Sequence, residues 1–338
     1  MVNHRSANHK STPPGNTPHI RHLTKSCLWL FVSLLFLTGC TTSPEPPLRL
    51  GSGIWPGYEP LFLARDLGFY DDTQIKLVEF TSASEVIRSL RNHTIDAAAL
   101  TMDETLTLID NNIDLRIILV MDFSNGGDVL LAKPEIKELK DITGKKIAIE
   151  YTATGAILLD GALTAAELTP ADVELVFCPV DQHENCYLSA DAVVTYEPTR
   201  TRLLNQGAHQ LFDSSLIPGR IVDVLVALQD SIEKQPQSIH LLLAGYFKSL
   251  HHLKNNPQDA TQRMSARLQL SPAEVLASYD GLSLPGLDLN KTLFQGKPSP
   301  IQITTSNLIS FMVKQQLLTK PLIVDHLFDA QFILGDNE

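Results

Sequence analysis

The alternation of short β-rich segments with helical segments, from residue 48 onward, constrains the fold of this chain most strongly. Apolar runs of strand length are separated by stretches with a helical period, which is typical of parallel α/β architecture. The predicted strands are residues 48–54, 75–80, 95–100, 115–121, 128–132, 146–150, 173–178, 191–196 and 222–228. The predicted helices are residues 60–68, 84–91, 103–110, 155–167, 182–188, 198–206, 231–254, 257–268, 271–279 and 303–318. The chain is therefore predicted to be an α/β protein with doubly wound sheets.

Two interruptions of this alternation predict two lobes. Residues 133–146 are rich in polar and turn residues, and residues 214–219 read Ser-Ser-Leu-Ile-Pro-Gly before a strongly apolar strand. We predict a first lobe of residues 48–132 plus 221–338 and a second lobe of residues 133–220. The two crossings between them would form a hinge. The length of 338 residues is sufficient for two cores, at roughly 150 residues each.

The first 39 residues predict a lipoprotein signal peptide. They hold four Lys or Arg and no Asp or Glu, and residues 27–37 form an apolar run that is too short to span a bilayer. The sequence Leu-Thr-Gly-Cys at residues 37–40 resembles the lipobox of bacterial lipoproteins, which implies cleavage before Cys40 and lipid attachment to its sulfur. A plain signal anchor with an incidental cysteine is the alternative. Residues 40–47 are polar and proline-rich, so they are predicted to be a tether.

The charge balance of the remaining chain argues against nucleic acid as a partner. From Cys40 onward, 23 Lys and Arg oppose 38 Asp and Glu, which gives a net charge of −15. Binding to nucleic acid requires a positive footprint, so this class of partner is not expected.

Two cysteines remain in the predicted folded body, Cys178 and Cys186. Export would place them in an oxidising compartment, where a pair eight residues apart can close a small loop through a disulfide. A metal site that combines both cysteines with Asp181 and His183 is the alternative, but its spacing matches no standard set of zinc ligands. No metal is therefore predicted.

Residues 53–60, Gly-Ile-Trp-Pro-Gly-Tyr-Glu-Pro, follow the first predicted strand and precede the first predicted helix. In open α/β sheets, ligands bind in the crevice outside the carboxyl ends of the strands. Trp55 and Tyr58 offer two large flat faces at this position, and the Pro-Gly pair between them favours a tight turn. The alternative is a surface turn whose aromatic residues cover the core.

Several segments together resemble the extracytoplasmic solute-binding proteins of ABC importers, in the branch that serves sulfonates, taurine, nitrate and thiamine pyrimidine precursors. The resemblance spans roughly residues 48–334 and is carried by residues 53–60, 63–70, 82–86, 95–99, 139–148, 191–198 and 327–329. It implies the fold of a type 2 periplasmic binding protein, whose two lobes close on a small molecule. It also implies a monomer without cofactor that delivers its ligand to an ABC permease and its ATPase, held at the membrane through the lipid anchor.

The loops at the predicted strand ends form the expected ligand site. They contain many acids and no Lys or Arg, whereas relatives that bind anions would be expected to offer basic groups. We therefore expect a nitrogen-bearing ligand, with any anionic part gripped by the helix start at residues 152–155. The predicted ligand-binding residues are Trp55, Tyr58, Ser82, Ser84, Thr101, Asp103, Asn125, Glu150, Thr152, Thr154, Tyr196, Glu197 and Asp223.

Other roles remain open for the predicted acids. The alternative for Asp103 is a role as a helix cap and nothing more. The alternative for Glu150 and Glu197 is that they are solvated residues at strand ends. Asp223 lies in an apolar strand, where an unpaired carboxylate is costly to bury. Its partner would be either a cation of the ligand or a protein donor such as Arg200 or Arg220.

Two other functional classes, an enzyme and a sensory subunit, are alternatives to solute binding. An enzyme is disfavoured, because the chain lacks Gly-x-Ser-x-Gly, His-Glu-x-x-His and phosphate-loop motifs and also the cysteine-rich motif of the pyrimidine-forming relatives. Its scattered histidines, including His183, are expected at the surface. A sensory subunit that presents the closed lobes to a membrane receptor or kinase remains the alternative to transport.

Overall fold

The protein is described by a computed structural model over residue 11 and residues 46–335. The predicted lipidation site Cys40, residues 40–45 of the predicted tether and the predicted signal peptide apart from residue 11 lie outside the described residues. Within the described part of the chain, no helix combines the length and the apolar character needed to cross a membrane. The carbonyl of Pro46 accepts a hydrogen bond of 2.6 Å from Nε2 of Gln235, so the folded body begins at the end of the predicted tether.

The described chain alternates strands and helices, with helices predominating after residue 229. The strands are β1 (Leu48–Ser52), β2 (Ile75–Glu79), β3 (Ala97–Thr101), β4 (Leu115–Ser124), β5 (Val129–Ala132), β6 (Lys146–Ile149), β7 (Glu174–Phe177), β8 (Ala192–Thr195), β9 (His209–Asp213), β10 (Val222–Leu228) and β11 (Leu282–Ser283). The helices are α1 (Glu59–Asp66), α2 (Ala83–Arg91), α3 (Met102–Asp110), α4 (Ala153–Ala165), α5 (His183–Ser189), α6 (Thr199–Asn205), α7 (Gln229–Lys234), α8 (Pro236–Asn255), α9 (Pro257–Leu268), α10 (Pro272–Ser278), α11 (Leu287–Phe294), α12 (Pro300–Lys314) and α13 (Gln331–Leu334).

The first sheet has six strands in the order β11-β4-β10-β3-β1-β2. β1 runs parallel to β2 and β3, whereas β10 runs antiparallel to β3 and β4. Every residue of β10 is buried, and alternate residues contribute to two different apolar cores. A strand covered on both faces is expected to read as a nearly continuous apolar run, which is why this strand was predictable.

The second sheet has five strands in the order β7-β6-β8-β5-β9. β6 runs parallel to β7 and β8, and β5 runs antiparallel to β8 and β9. The two separate sheets confirm the predicted two-lobe α/β fold. The chain passes from one sheet to the other between β4 and β5 and returns between β9 and β10, so the hinge has two crossings.

One strand of four or more residues in each sheet runs against the parallel direction that the alternation of strands and helices indicates. β5 and β10 are the first strands after the two crossings, and each enters its new sheet antiparallel to its neighbours. The first crossing also lies earlier than predicted, because residues 128–132 were assigned to the first lobe but pair with the second sheet. It occurs at Asn-Gly-Gly-Asp, residues 125–128, where Gly126 has a φ of 114° that only glycine adopts readily.

Some elements differ from the prediction for local reasons. The long helix predicted at residues 231–254 is two helices, α7 and α8, because Pro236 starts the second one and cannot continue the first. β9, β11, α11 and α13 were not predicted. β11 and α13 have only two and four residues, so their sequence patterns are weak.

Three helices of the described chain begin at the cleft between the lobes, and predicted site residues cap them. Ser82 caps α2, Thr101 caps α3 and Thr152 caps α4, each through its side-chain oxygen. Thr101 belongs to a capping box in which Glu104 accepts from its backbone N–H in return. These caps hold the starts of α2 and α3 from one lobe and of α4 from the other beside the same space.

Candidate functional site

A small buried cavity lies between the two lobes at these helix starts. The volume open to water-sized molecules is about 60 Å³. The polar and aromatic residues that line the cavity come from both lobes and from the first crossing: Trp55, Tyr58, Thr101, Glu104, Asp128, Glu150, Thr152, Thr154, His183, Tyr196 and Asp223.

Two aromatic residues of the residue 53–60 loop are held by hydrogen bonds to two buried acids. Trp55 donates a hydrogen bond of 3.1 Å from Nε1 to Oδ2 of Asp122, and Tyr58 donates from its hydroxyl to Oδ1 of Asp223. The ring of Tyr196, from the other lobe, meets the Trp55 ring edge to face with centroids 5.5 Å apart. Trp55 and Tyr58 are buried, and they both line the cavity and belong to an apolar core.

Asp122 and Asp223 form a buried acid pair on adjacent antiparallel strands. They face each other in the register of β4 and β10. Burial raises the pKa of Asp122 to about 7 and raises the pKa of Asp223 well above its usual range. Their mutual hydrogen bond further raises the pKa of Asp223 and lowers that of Asp122. The pair therefore shares a proton that resides on Asp223, because two such carboxylates cannot readily both ionise.

Three further acids line the cavity with raised pKa values. Burial raises the pKa of Glu104 to about 8, helped by repulsion from Asp103 and Glu150. Burial likewise raises the pKa of Glu150 to about 7 and that of Asp128 to about 7. At neutral pH these groups lie close to their titration points, so a nearby positive charge would stabilise their ionised forms.

Hydrogen bonds that involve threonine hydroxyl groups join the two lobes directly beside the cavity. Thr154 donates a hydrogen bond of 2.9 Å to Oδ2 of Asp103, and its oxygen lies 3.0 Å from the hydroxyl oxygen of Thr101. Since a hydroxyl has one proton to donate, Thr101 must be the donor in the second contact. The contact connects the start of α3 in the first lobe with the start of α4 in the second.

The cavity offers hydrogen-bond acceptors but little positive charge. Among the residues that the structure describes, no Lys or Arg lines it. His183 is held neutral, because burial lowers its pKa to about 4. It lies 3.1 Å from the carbonyl of Cys178 and 3.0 Å from the hydroxyl of Thr195. Within residues 46–335, Oε1 of Glu150 is buried without a hydrogen-bond partner. Such a site is suited to a ligand that carries N–H donors and positive charge.

The structure brings most of the predicted ligand-binding residues together. Eight line the cavity: Trp55, Tyr58, Thr101, Glu150, Thr152, Thr154, Tyr196 and Asp223. The structure does not place the other five on the cavity wall: Ser82, Ser84, Asp103, Asn125 and Glu197.

Each of the five has another position. Ser82 is buried as the cap of α2, Ser84 faces a neighbouring groove, and Asp103 lies behind Thr154. Asn125 is exposed on the first crossing. Glu197 accepts hydrogen bonds of 3.0 Å from Nη1 of Arg200 and of 3.0 Å and 3.1 Å from the hydroxyl and backbone N–H of Thr201, so it is occupied within its own lobe. The idea that it is a solvated strand end is also wrong, because it is buried.

Four residues of the site or its wall were missed. Glu104 was hidden by its role in the capping box, and Asp122 lies just beyond the predicted end of its strand at residue 121. Asp128 lies in the first crossing and was not among the predicted site residues. His183 was expected at the surface, yet it is buried at the start of α5, within the loop closed by the disulfide between Cys178 and Cys186.

The two α/β lobes and the cavity between them define the fold class of this chain. Among solved structures, the alkanesulfonate-binding protein SsuA from Xanthomonas axonopodis pv. citri, bound to MOPS, has a TM-score of 0.71 and 16% identity, covering 85% of this chain and 100% of that one. The periplasmic nitrate-binding protein NrtA from Synechocystis PCC 6803 has a TM-score of 0.67 and 14% identity, with coverages of 86% and 87%. A DszB variant in complex with biphenyl-2-sulfinic acid has a TM-score of 0.59 and 16% identity, with coverages of 85% and 98%.

The sequence itself identifies the family. Residues 41–269 match the NMT1-like family, so the chain belongs to the NMT1-like family. The comparison with curated proteins gave no significant match. The family and the structural neighbours agree with the branch of solute-binding proteins that the sequence motifs resemble.

Proposed function

We propose that this protein is an extracytoplasmic solute-binding protein of an ABC importer, and that it captures a small organic ligand with a positively charged or N–H-rich nitrogen group. The observation that carries the proposal is the composition of the cavity wall. Glu104, Asp128, Glu150 and Asp223 line it, and no Lys or Arg of the described chain does. A bound cation would offset the unfavourable burial of these acids, whereas an anion would add to it.

The aromatic residues support the same ligand class. Trp55, Tyr58 and Tyr196 line the cavity, and the electron-rich faces of such rings attract cations. A planar cationic group can therefore contact a ring face while its N–H groups reach carboxylates. This differs from the anions that the descriptions of the two binding-protein neighbours name.

Binding rather than catalysis is part of the proposal. Both cysteines of the described chain, Cys178 and Cys186, are joined in a disulfide, and His183 is engaged on both ring nitrogens. Neither group is therefore free to act as a nucleophile or a general base. The lipid anchor on Cys40 and the monomeric state belong to the same proposal and rest on the sequence alone. Delivery to a permease and its ATPase is supported by the family and by the descriptions of the structural neighbours.

Thermal melting of the purified protein against a ligand panel tests the proposal. The panel contains amines, amidines and aminopyrimidines, with sulfonates, nitrate and bicarbonate as anionic controls. A ligand present at about 100 times its Kd adds roughly 2.7 kcal/mol, which raises the melting temperature measurably. We expect shifts with cationic or aminopyrimidine compounds. Shifts with sulfonate or nitrate alone would overturn the assignment of the ligand class.

A further inference from the structure

A much larger groove adjoins the cavity on the outer side of the same cleft. The groove has a volume of about 720 Å³, against about 60 Å³ for the cavity. Glu104, Glu150 and Thr152 line both spaces, so the two are contiguous. Residues of α2 and α3 from the first lobe, of α4 from the second lobe and of the end of α12 surround the groove.

The wall of this groove is largely apolar. Its aliphatic and aromatic residues come from both lobes and include Ile87, Leu108, Ile149, Leu159, Leu163, Leu175 and Leu317. Tyr151 and Phe177 stand at the groove with 79% and 59% of their surface exposed and with ring centroids 5.0 Å apart. Exposed apolar surface that is gathered in one concave place typically marks a binding site.

Charge is distributed unevenly along the two spaces. Glu104 and Glu150 stand where the groove meets the cavity, whereas the exposed Arg88 and Arg91 line the groove alone. The remaining acid of the groove, Asp160, is engaged by Gln315 and Arg220. A cation is therefore attracted toward the cavity and not toward the outer part of the groove.

We propose that the groove is a second subsite, which binds the apolar tail of a ligand whose nitrogen-bearing head occupies the cavity. This inference rests on the proposed function and narrows the ligand to an amphipathic amine or amidine. The small cavity has room for the polar head alone, and the groove is the contiguous space with an apolar wall. Tyr151 and Phe177 would cover the tail and lose their own exposure to water.

A series of n-alkylamines from methylamine to octylamine tests this inference by calorimetry on the purified protein. We expect the Kd to fall with each added methylene, by up to about fourfold per group while the tail lies in the groove. The slope should decrease in Phe177→Ser. It should be retained in Leu276→Ser, a control that removes an exposed apolar side chain of α10 outside the groove.

The outcomes separate this inference from the proposed function. If short amines bind but the Kd is independent of chain length, the tail subsite is wrong and the cationic cavity stands. A slope that persists in the double variant Tyr151→Ser/Phe177→Ser would place the tail elsewhere and would also overturn the subsite. If no amine of any length binds, the cationic ligand class itself fails and the subsite with it. Melting of the ligand-free variants verifies that they fold.

Discussion

The raised pKa of Glu104 predicts that this residue destabilises the ligand-free protein at alkaline pH. Burial and repulsion from Asp103 and Glu150 raise its pKa from 4.5 to about 8. Between these two values the folded state binds the proton more tightly than the unfolded state does, so protonation stabilises the fold. This contribution is fully present below about pH 4.5 and is lost as the pH rises through about 8.

The variant Glu104→Gln removes this ionisation and keeps the capping box, because glutamine also serves at that position. A shift of about 3.5 pKa units corresponds to at most about 5 kcal/mol of unfolding free energy. Part of this pKa shift comes from repulsion by Asp103 and Glu150, and those two acids stay buried in the variant. We therefore expect the unfolding free energy of the variant, relative to that of the wild type, to rise by about 1 to 3 kcal/mol from pH 5 to pH 8.5.

Urea unfolding of both proteins at pH 5 and pH 8.5 measures this difference. The matched control is Glu274→Gln, which changes the same position of a capping box on α10, where hydrogen bonds from Ser271 lower the pKa of the glutamate. That control should gain no stability at pH 8.5. The contradicting result is a stability difference between Glu104→Gln and the wild type that is no larger at pH 8.5 than at pH 5. In that case the surroundings do not raise the pKa of Glu104, and the electrostatic description of the cavity is wrong.

Three further predictions concern the acid pair and the disulfide. In Gly57→Ala the new Cβ would lie 1.8 Å from Oδ2 of Asp122, so we expect a loss of about 1 to 3 kcal/mol in urea unfolding, and an unchanged midpoint would contradict the close approach. Asp223→Asn removes the carboxyl group that a bound cation would ionise, so it should weaken cation binding by about tenfold or more with the circular dichroism spectrum unchanged, and equal affinity would remove it from the site. In protein purified from the periplasm, Cys178 and Cys186 should resist alkylation until reduced, and alkylation of both without reductant would show free thiols by mass.

Much of the fold could be predicted because hydrophobic period and turn chemistry are local properties. The strand at residues 222–228 was predicted at its observed bounds, since it is an apolar run that ends where polar residues resume. Its direction was not predictable, because direction depends on where the chain re-enters the sheet after the second crossing. The assignment of residues 128–132 to the wrong lobe has the same origin, since pairing partners are not a local property.

The candidate site was predictable in part for a similar reason. Asp223 could be found from sequence, because an acid within an apolar run is conspicuous and costly unless it has a partner. Its partner Asp122 could not be found, since only the register of β4 and β10 brings the two together. Glu104 satisfied a capping motif completely, so nothing in its sequence context indicated that its carboxylate also borders a cavity.

The hydrogen bonds among Thr101, Thr154 and Asp103 have a consequence for how the protein responds to concentration. In the proposed function they would form whenever the lobes close, whichever ligand lies inside, so they would favour the closed form by the same amount for every ligand. The apparent Kd equals the intrinsic Kd divided by the fraction of molecules able to close. In the proposed function, the atoms facing the cavity would therefore decide which solute is bound, whereas this small interlobe contact would set how low the concentration of that solute can be.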